Sequence, residues 1–351
     1  MRRLVTNKGG GLPSEFNVAH DLCFFVHDVL AQFLVSGEAG DIFTTRIAVE
    51  EYELAKDFDS ADDIFEWLEK NERFEDRARI IKTLILPAVL SDMLHCIYEA
   101  LECSRKGKLN VSYMLIRKPI QENLFLLESV ILDEVLFAKK LATSPITLRP
   151  QTATGVEGEH KRRINQILKI IAQAEVFDAE YLAQLRYMKV EDGFDGACNK
   201  AIHLFTEHKA IKTEALNINF IFSNWDAKYS QWEYLYSRLP YLLIYIWRVI
   251  EHIGDDVCPT HPEYTLDMTR RIAAFVTLFA ASTTNVTPPL AKFYKSQHDW
   301  LLSHCQSLGF RSPTKRDLER MALTGALPGE DEASMAARLA LFNAIAGAGQ
   351  K

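Results

Sequence analysis

Apolar residues recur at spacings of three and four along most of the chain, and no stretch sustains an alternation of apolar and polar positions. That period puts apolar side chains on one face of a helix and argues against strands. In 14–36, Phe16, Leu22, Val26, Val29, Leu30 and Phe33 make such a face, with Ser14 as the expected cap and Gly37 and Gly40 as the stop. Residues 60–71 predict a short amphipathic helix capped by Ser60. Residues 74–105 predict a long one, with Pro87 as its point of bending. The longest apolar-periodic run, 109–142, contains Pro119, which lacks an N–H and must interrupt the helix or begin a new one. Residues 144–158 have no period and predict a linker. Helices are expected again at 159–175, 178–189, 197–208, 225–253, 265–283, 290–307, 314–324 and 331–346, before a frayed end. The expected fold class is all-α: an irregular bundle of long antiparallel helices over 13–256, with a helical C-terminal extension over 257–351.

Composition narrows the function classes. Of 351 residues, 48% are hydrophobic and 25% charged, enough to bury a core. A net charge of −7 opposes non-specific binding to nucleic acid or to an acidic membrane, because phosphate attracts a positive field. The most apolar run, LPYLLIYIW at 239–247, is too short to span a bilayer, and no secretory leader opens the chain. A cytoplasmic protein with no membrane partner is the expectation. The six cysteines form no CxxC pair, which predicts free thiols and no structural metal. His20, Cys23 and His27 are metal-ligand types near one helix face. No fourth ligand follows by spacing, so core residues are the reading preferred.

Candidate chemistry gathers in CNKAIHLFTEH, 198–208. On a continuous helix Asn199, His203 and Glu207 fall on one stripe, rotated by about 40° per step. Glu207 would fix the tautomer of His203, which would serve as a base. His208 lies roughly 140° from His203 and cannot join it. The plainer alternative is a histidine satisfying a neighbouring backbone group. Asn217 and Asn219 read as loop clamps. Arg248 and His252, four apart, offer a phosphate-binding cation and a base. Alternatively they complement a helix C-terminus before Gly254. Arg117, Lys118 and Glu122 surround Pro119 as a ligand clamp or an internal ion pair. Lys161, Arg162 and Arg163 are the densest basic run, suited to a groove for RNA or to a solvated face.

SYMLIRKPIQENLFLLESVILDEVLFAKKL, followed by a linker, two helices and CNKAIHLFTEH, resembles the arrangement in large HEPN-like helical proteins of prokaryotes. The resemblance spans residues 75–255 and makes Arg117, Glu122, Asn199 and His203 the matching positions. It implies an RNA- or nucleotide-associated module of a defence or toxin system. Many such proteins are ribonucleases with four to six residues between an arginine and a histidine; Arg248 and His252 have three. The alternative is a non-enzymatic helical protein that forms a homodimer or docks a partner. Neither reading calls for a cofactor.

Overall fold

The computed structural model describes residues 11–153, 158–190, 192–207, 213, 215, 217–220 and 224–348. In chain order its α-helices are α1 Asn17–Ala39, α2 Tyr52–Asp59, α3 Ile64–Lys70, α4 Phe74–Arg105, α5 Leu109–Lys118, α6 Leu124–Leu132, α7 Glu134–Thr143 and α8 Glu159–Ile170. They continue as α9 Ala179–Tyr187, α10 Phe194–Ile202, α11 Trp225–Val257, α12 Pro262–Ala280, α13 Pro288–Ser307, α14 Lys315–Thr324 and α15 Glu332–Ala348. No strand occurs among the described residues, so the chain is all-α.

α11 is the axis of the bundle. Between Leu235 and Ile250 almost every side chain is buried, as expected of a helix that is apolar all round. α1 packs on α11, α4 and α12; α4 packs on α5 and α7; α10 lies against α5; α12 carries α13 and α14. One hydrophobic core runs from Leu22 of α1 through Trp232 and Tyr245 of α11 to Phe293 of α13 and Met321 of α14. The expected boundary at 256/257 falls inside α11, and this core continues across it. α11 does not stop at Gly254. A Cβ there would lie 2.7 Å from Phe33 Cε2, so this glycine lets α1 approach closely. Cys258 ends the helix by donating its N–H to the Gly254 carbonyl at 2.7 Å.

Several helix starts differ from expectation. Ser14 sits in a short 3-10 turn, Ser14–Phe16, and does not cap α1. Ser60 closes α2, an element with no counterpart in the expected series, and α3 is capped by Asp63, which accepts from Phe65 N at 2.7 Å. A carboxylate one residue before the first turn outcompetes the earlier serine for the exposed N–H groups. Asp133 likewise caps α7 and splits the long apolar run a second time. The linker holds two 3-10 turns, Pro145–Leu148 and Pro150–Ala153.

Ser14–Ala39 and Phe74–Arg105 are each long and apolar enough to cross a membrane by length and composition. Within the bundle, Leu22, Val26 and Leu30 of the first and Leu90, Met93 and Ile97 of the second are buried in the common core. All six cysteines are free thiols, and Cys23, Cys198 and Cys305 are buried.

Pro119 produces a π turn, Pro119–Asn123, where Leu124 N reaches back five residues to the Pro119 carbonyl. The widened turn turns the Ile120 carbonyl toward α9, and Arg186 Nε donates to it at 2.7 Å. The Arg186 guanidinium also pairs with Glu128, both side chains being fully buried, with Nη2 to Oε2 at 3.0 Å. Tyr245 of α11 donates to Glu128 Oε1 at 2.7 Å. Gln121 Nε2 reaches the Arg186 carbonyl at 2.7 Å and Asp195 at 3.0 Å, binding α9 and α10 to the same turn. Burial lowers the Arg186 pKa, but the charge and hydrogen bond of Glu128, together with Tyr187 and Tyr245, raise it by more and hold the guanidinium protonated. A second tie is Lys82 of α4, which bridges Glu134 of α7 at 2.6 Å and Asp256 of α11 at 2.7 Å.

Removing one member of a buried pair strands the other charge. We therefore expect Glu128→Leu to cost about 3–5 kcal/mol in urea unfolding, and Glu128→Leu with Arg186→Met to recover much of that loss. A single substitution costing under about 1 kcal/mol would contradict the assignment.

Candidate functional site

The stretch expected to be catalytic is not one helix. α10 ends at Ile202, and His203 takes an extended conformation as its C-cap, exposed to solvent. The stripe of Asn199, His203 and Glu207 therefore does not form. Asn199 instead donates to Asp195 at 3.0 Å, reinforcing the tie to the π turn. Past the helix the backbone folds on itself: Thr213 N donates to Thr206 O at 2.7 Å, Asn219 N to Leu204 O at 3.0 Å, and Asn219 Nδ2 to His203 O at 2.8 Å. Polar side chains break the helix here by bonding backbone, with Asn219 as the clamp. His208 and Glu214 lie outside the described residues.

Arg117 and Glu122 pair with one another at 3.8 Å rather than with His203. α5 and α10 do pack together, but His203 has left the shared face. Arg248 stacks over Trp247 at 4.0 Å and reaches Thr269 at 3.3 Å. Burial pulls its pKa down to about 10, with Glu251 opposing, so it remains a cation near neutrality. His252 is half-buried one turn on, near the Asp256 carboxylate that Lys82 holds. Because α11 runs on to Val257, Arg248 and His252 do not complement its end. The basic run is spent on local partners: Lys161 on Glu180, Arg162 on Glu159, and Arg163 on the Phe125 carbonyl and Ser129.

A different region is concave. The 3-10 turn and start of α1, the first turns of α11 and the end of α12 enclose a cleft of about 590 Å³. Asp226, Tyr229, Ser230, Glu233 and Ser237 of α11 line one wall, a stripe at helical spacing. Phe16 faces it, with its ring 5.2 Å from Tyr229 and 6.1 Å from Tyr236. Ser282, Thr283 and Thr284 close the far side, where the Thr284 hydroxyl donates to Glu233. Three carboxylates, Glu15, Asp226 and Glu233, line the cleft, and among the described residues no Lys or Arg does.

Under the floor lies a buried polar relay. The Tyr236 hydroxyl contacts His20 Nδ1 at 2.7 Å and Ser104 Oγ at 2.8 Å. The hydroxyl is thus directed inward, and Tyr236 offers the cleft its ring. Burial, aided by Arg105 and opposed by Glu102, lowers the His20 pKa to about 4. His20 is therefore a core histidine, Cys23 is a buried thiol, and His27 bonds Asp28 at 2.9 Å, so the three residues do not form one cluster. No group of side chains suited to a metal ion occurs among the described residues. Comparison with protein-family models, curated proteins and solved structures finds no match to this chain.

His20 sets a pH prediction. The unfolded chain binds the proton near 6.5 and the folded chain only near 4. Its contribution is therefore present above 6.5 and is lost as pH falls from 6.5 toward 4, by an amount on the order of 3 kcal/mol. Urea unfolding at pH 7 and 4.5 should show this loss in the wild type. His20→Gln, which keeps a partner for Tyr236, should lose distinctly less. Equal losses in both would remove His20 as the cause.

Proposed function

We propose that the chain is a non-catalytic binding protein whose ligand seat is the cleft between α1, α11 and α12. The observation carrying this reading is the cleft itself: about 590 Å³, with aromatic faces, several hydroxyls and three carboxylates. That size lies in the range of small-molecule sites, and the lining is more polar than most. Catalysis needs a base and a positioned cation or nucleophile within reach of one substrate atom. The candidates for those roles are dispersed. His203 stands at an exposed helix end, Arg117 lies 3.8 Å from the Glu122 carboxylate, and Arg248 stacks on Trp247 and reaches Thr269.

Charge points the same way. The HEPN-like resemblance implies RNA or nucleotide as partner, yet phosphate would meet the carboxylates of the cleft and a basic run already paired with acids and carbonyls. The interaction-protein alternative fits better, with a small molecule as the ligand.

Two measurements test the reading. A panel of small metabolites screened by thermal shift should yield a ligand that raises Tm. Ser230→Trp, which fills the cleft from an exposed position, should abolish that shift while leaving the free protein's Tm near the wild-type value. A ligand whose stabilisation survives Ser230→Trp would place the seat elsewhere. Purified protein incubated with single-stranded RNA should leave it intact. Cleavage abolished by His203→Ala or His252→Ala would overturn the non-catalytic reading.

A further inference from the structure

The geometry points to the ligand's chemical class: we infer that the cleft takes an aliphatic polyamine. This rests on the ligand-seat reading above and adds the charge and shape of the ligand. Three features of the lining select it together. The first is charge. Glu15, Asp226 and Glu233 face a space that, among the described residues, is lined by no Lys or Arg, so an anionic ligand is repelled and a neutral one leaves the carboxylates without a counter-ion.

The second feature is spacing. Asp226 and Glu233 are seven residues apart on α11, two turns, so they share a face and are separated by roughly 10 Å along the axis. A ligand satisfying both needs cationic groups at its two ends. Tyr229 lies between them on the same face, opposite Phe16 at 5.2 Å between ring centroids. A methylene chain can lie against these rings, and an ammonium over a ring face gains the cation–π attraction. The third feature is the set of hydroxyls on the rim, Ser14, Ser230, Ser282, Thr283 and Thr284, which can accept from the N–H groups of primary and secondary ammonium ions.

The helix terminus explains only part of this arrangement. Asp226 in the first turn of α11 favours the helix dipole with no ligand present. Glu233, two turns further in and half-buried, gains nothing from that dipole, and the hydroxyl of Thr284 orients it across the mouth of the cleft.

Calorimetric titration of the full chain with spermidine, 1,8-octanediol and ATP tests the inference. The expected result is one spermidine per chain, weakened by salt, with no binding of the diol or of ATP. Asp226→Asn should weaken spermidine by about tenfold, Tyr229→Leu should weaken it severalfold, and Ser230→Trp should abolish binding. Asp226 is exposed, so its amide variant should lose only the small first-turn dipole contribution and keep the wild-type helical signal, and weakened binding then reports the site. Spermidine bound equally by wild type, Asp226→Asn and Ser230→Trp would be a diffuse surface effect and would overturn the inference. Binding of the diol or ATP that Ser230→Trp blocks, with no spermidine binding, would overturn the polyamine class and leave the ligand seat standing. No cleft-dependent binding of any probe here or in the metabolite panel would remove both.

Discussion

The middle of the bundle depends on an uncommon turn and on the buried charge that completes it. Pro119 cannot donate to the helix behind it, and the chain responds with a π turn rather than a break. The Ile120 carbonyl is then available to Arg186, whose guanidinium is too costly to bury alone and is neutralised by Glu128. Tyr245 supplies the next bond from α11, and Gln121, Asp195 and Asn199 carry the network into α10. The π turn, α9, α10 and α11 are thereby fixed in one register by directed bonds as well as by packing. An apolar core tolerates sliding of helices past one another far better than a set of directed hydrogen bonds does.

At the far end of α11 the balance is different. Polar groups under the floor are satisfied within the protein, Tyr236 by His20 and Ser104. The carboxylates of the rim face the open cleft, with Glu233 held by Thr284. The long central helix thus carries closed polar chemistry in its buried half and open polar chemistry at its start. The concavity beside the first turns of α11 is what supports the proposed ligand seat.

Much of the fold was legible in the sequence. The bounds of α4 and the start of α11 match expectation, whereas α13 begins at Pro288, two residues before the expected 290, with the prolines inside its first turn. Pro119 announced an interruption, but which interruption was set by tertiary partners: only Arg186, 67 positions later, makes the widened turn favourable. The site was less legible. His203 sat on a plausible helical stripe, but Thr206, Thr213 and Asn219 bond one another and the backbone, and those contacts end the helix at Ile202. The stripe from Asp226 to Ser237 was missed, because nothing in its own spacing marks it as a site. Its meaning depends on Phe16 and Thr284, which the topology brings to it from distant parts of the chain.

The π turn and its charged partner should belong to the most stable unit of the protein, and native-state hydrogen exchange measures that directly. Amides of 120–124 and 181–187 should exchange only through global unfolding, with a free energy matching urea denaturation to within about 1 kcal/mol, while those of 282–284 at the cleft rim exchange through smaller openings. Exchange of the 120–124 amides through a local opening, well below the global value, would contradict the claim that this turn organises the fold.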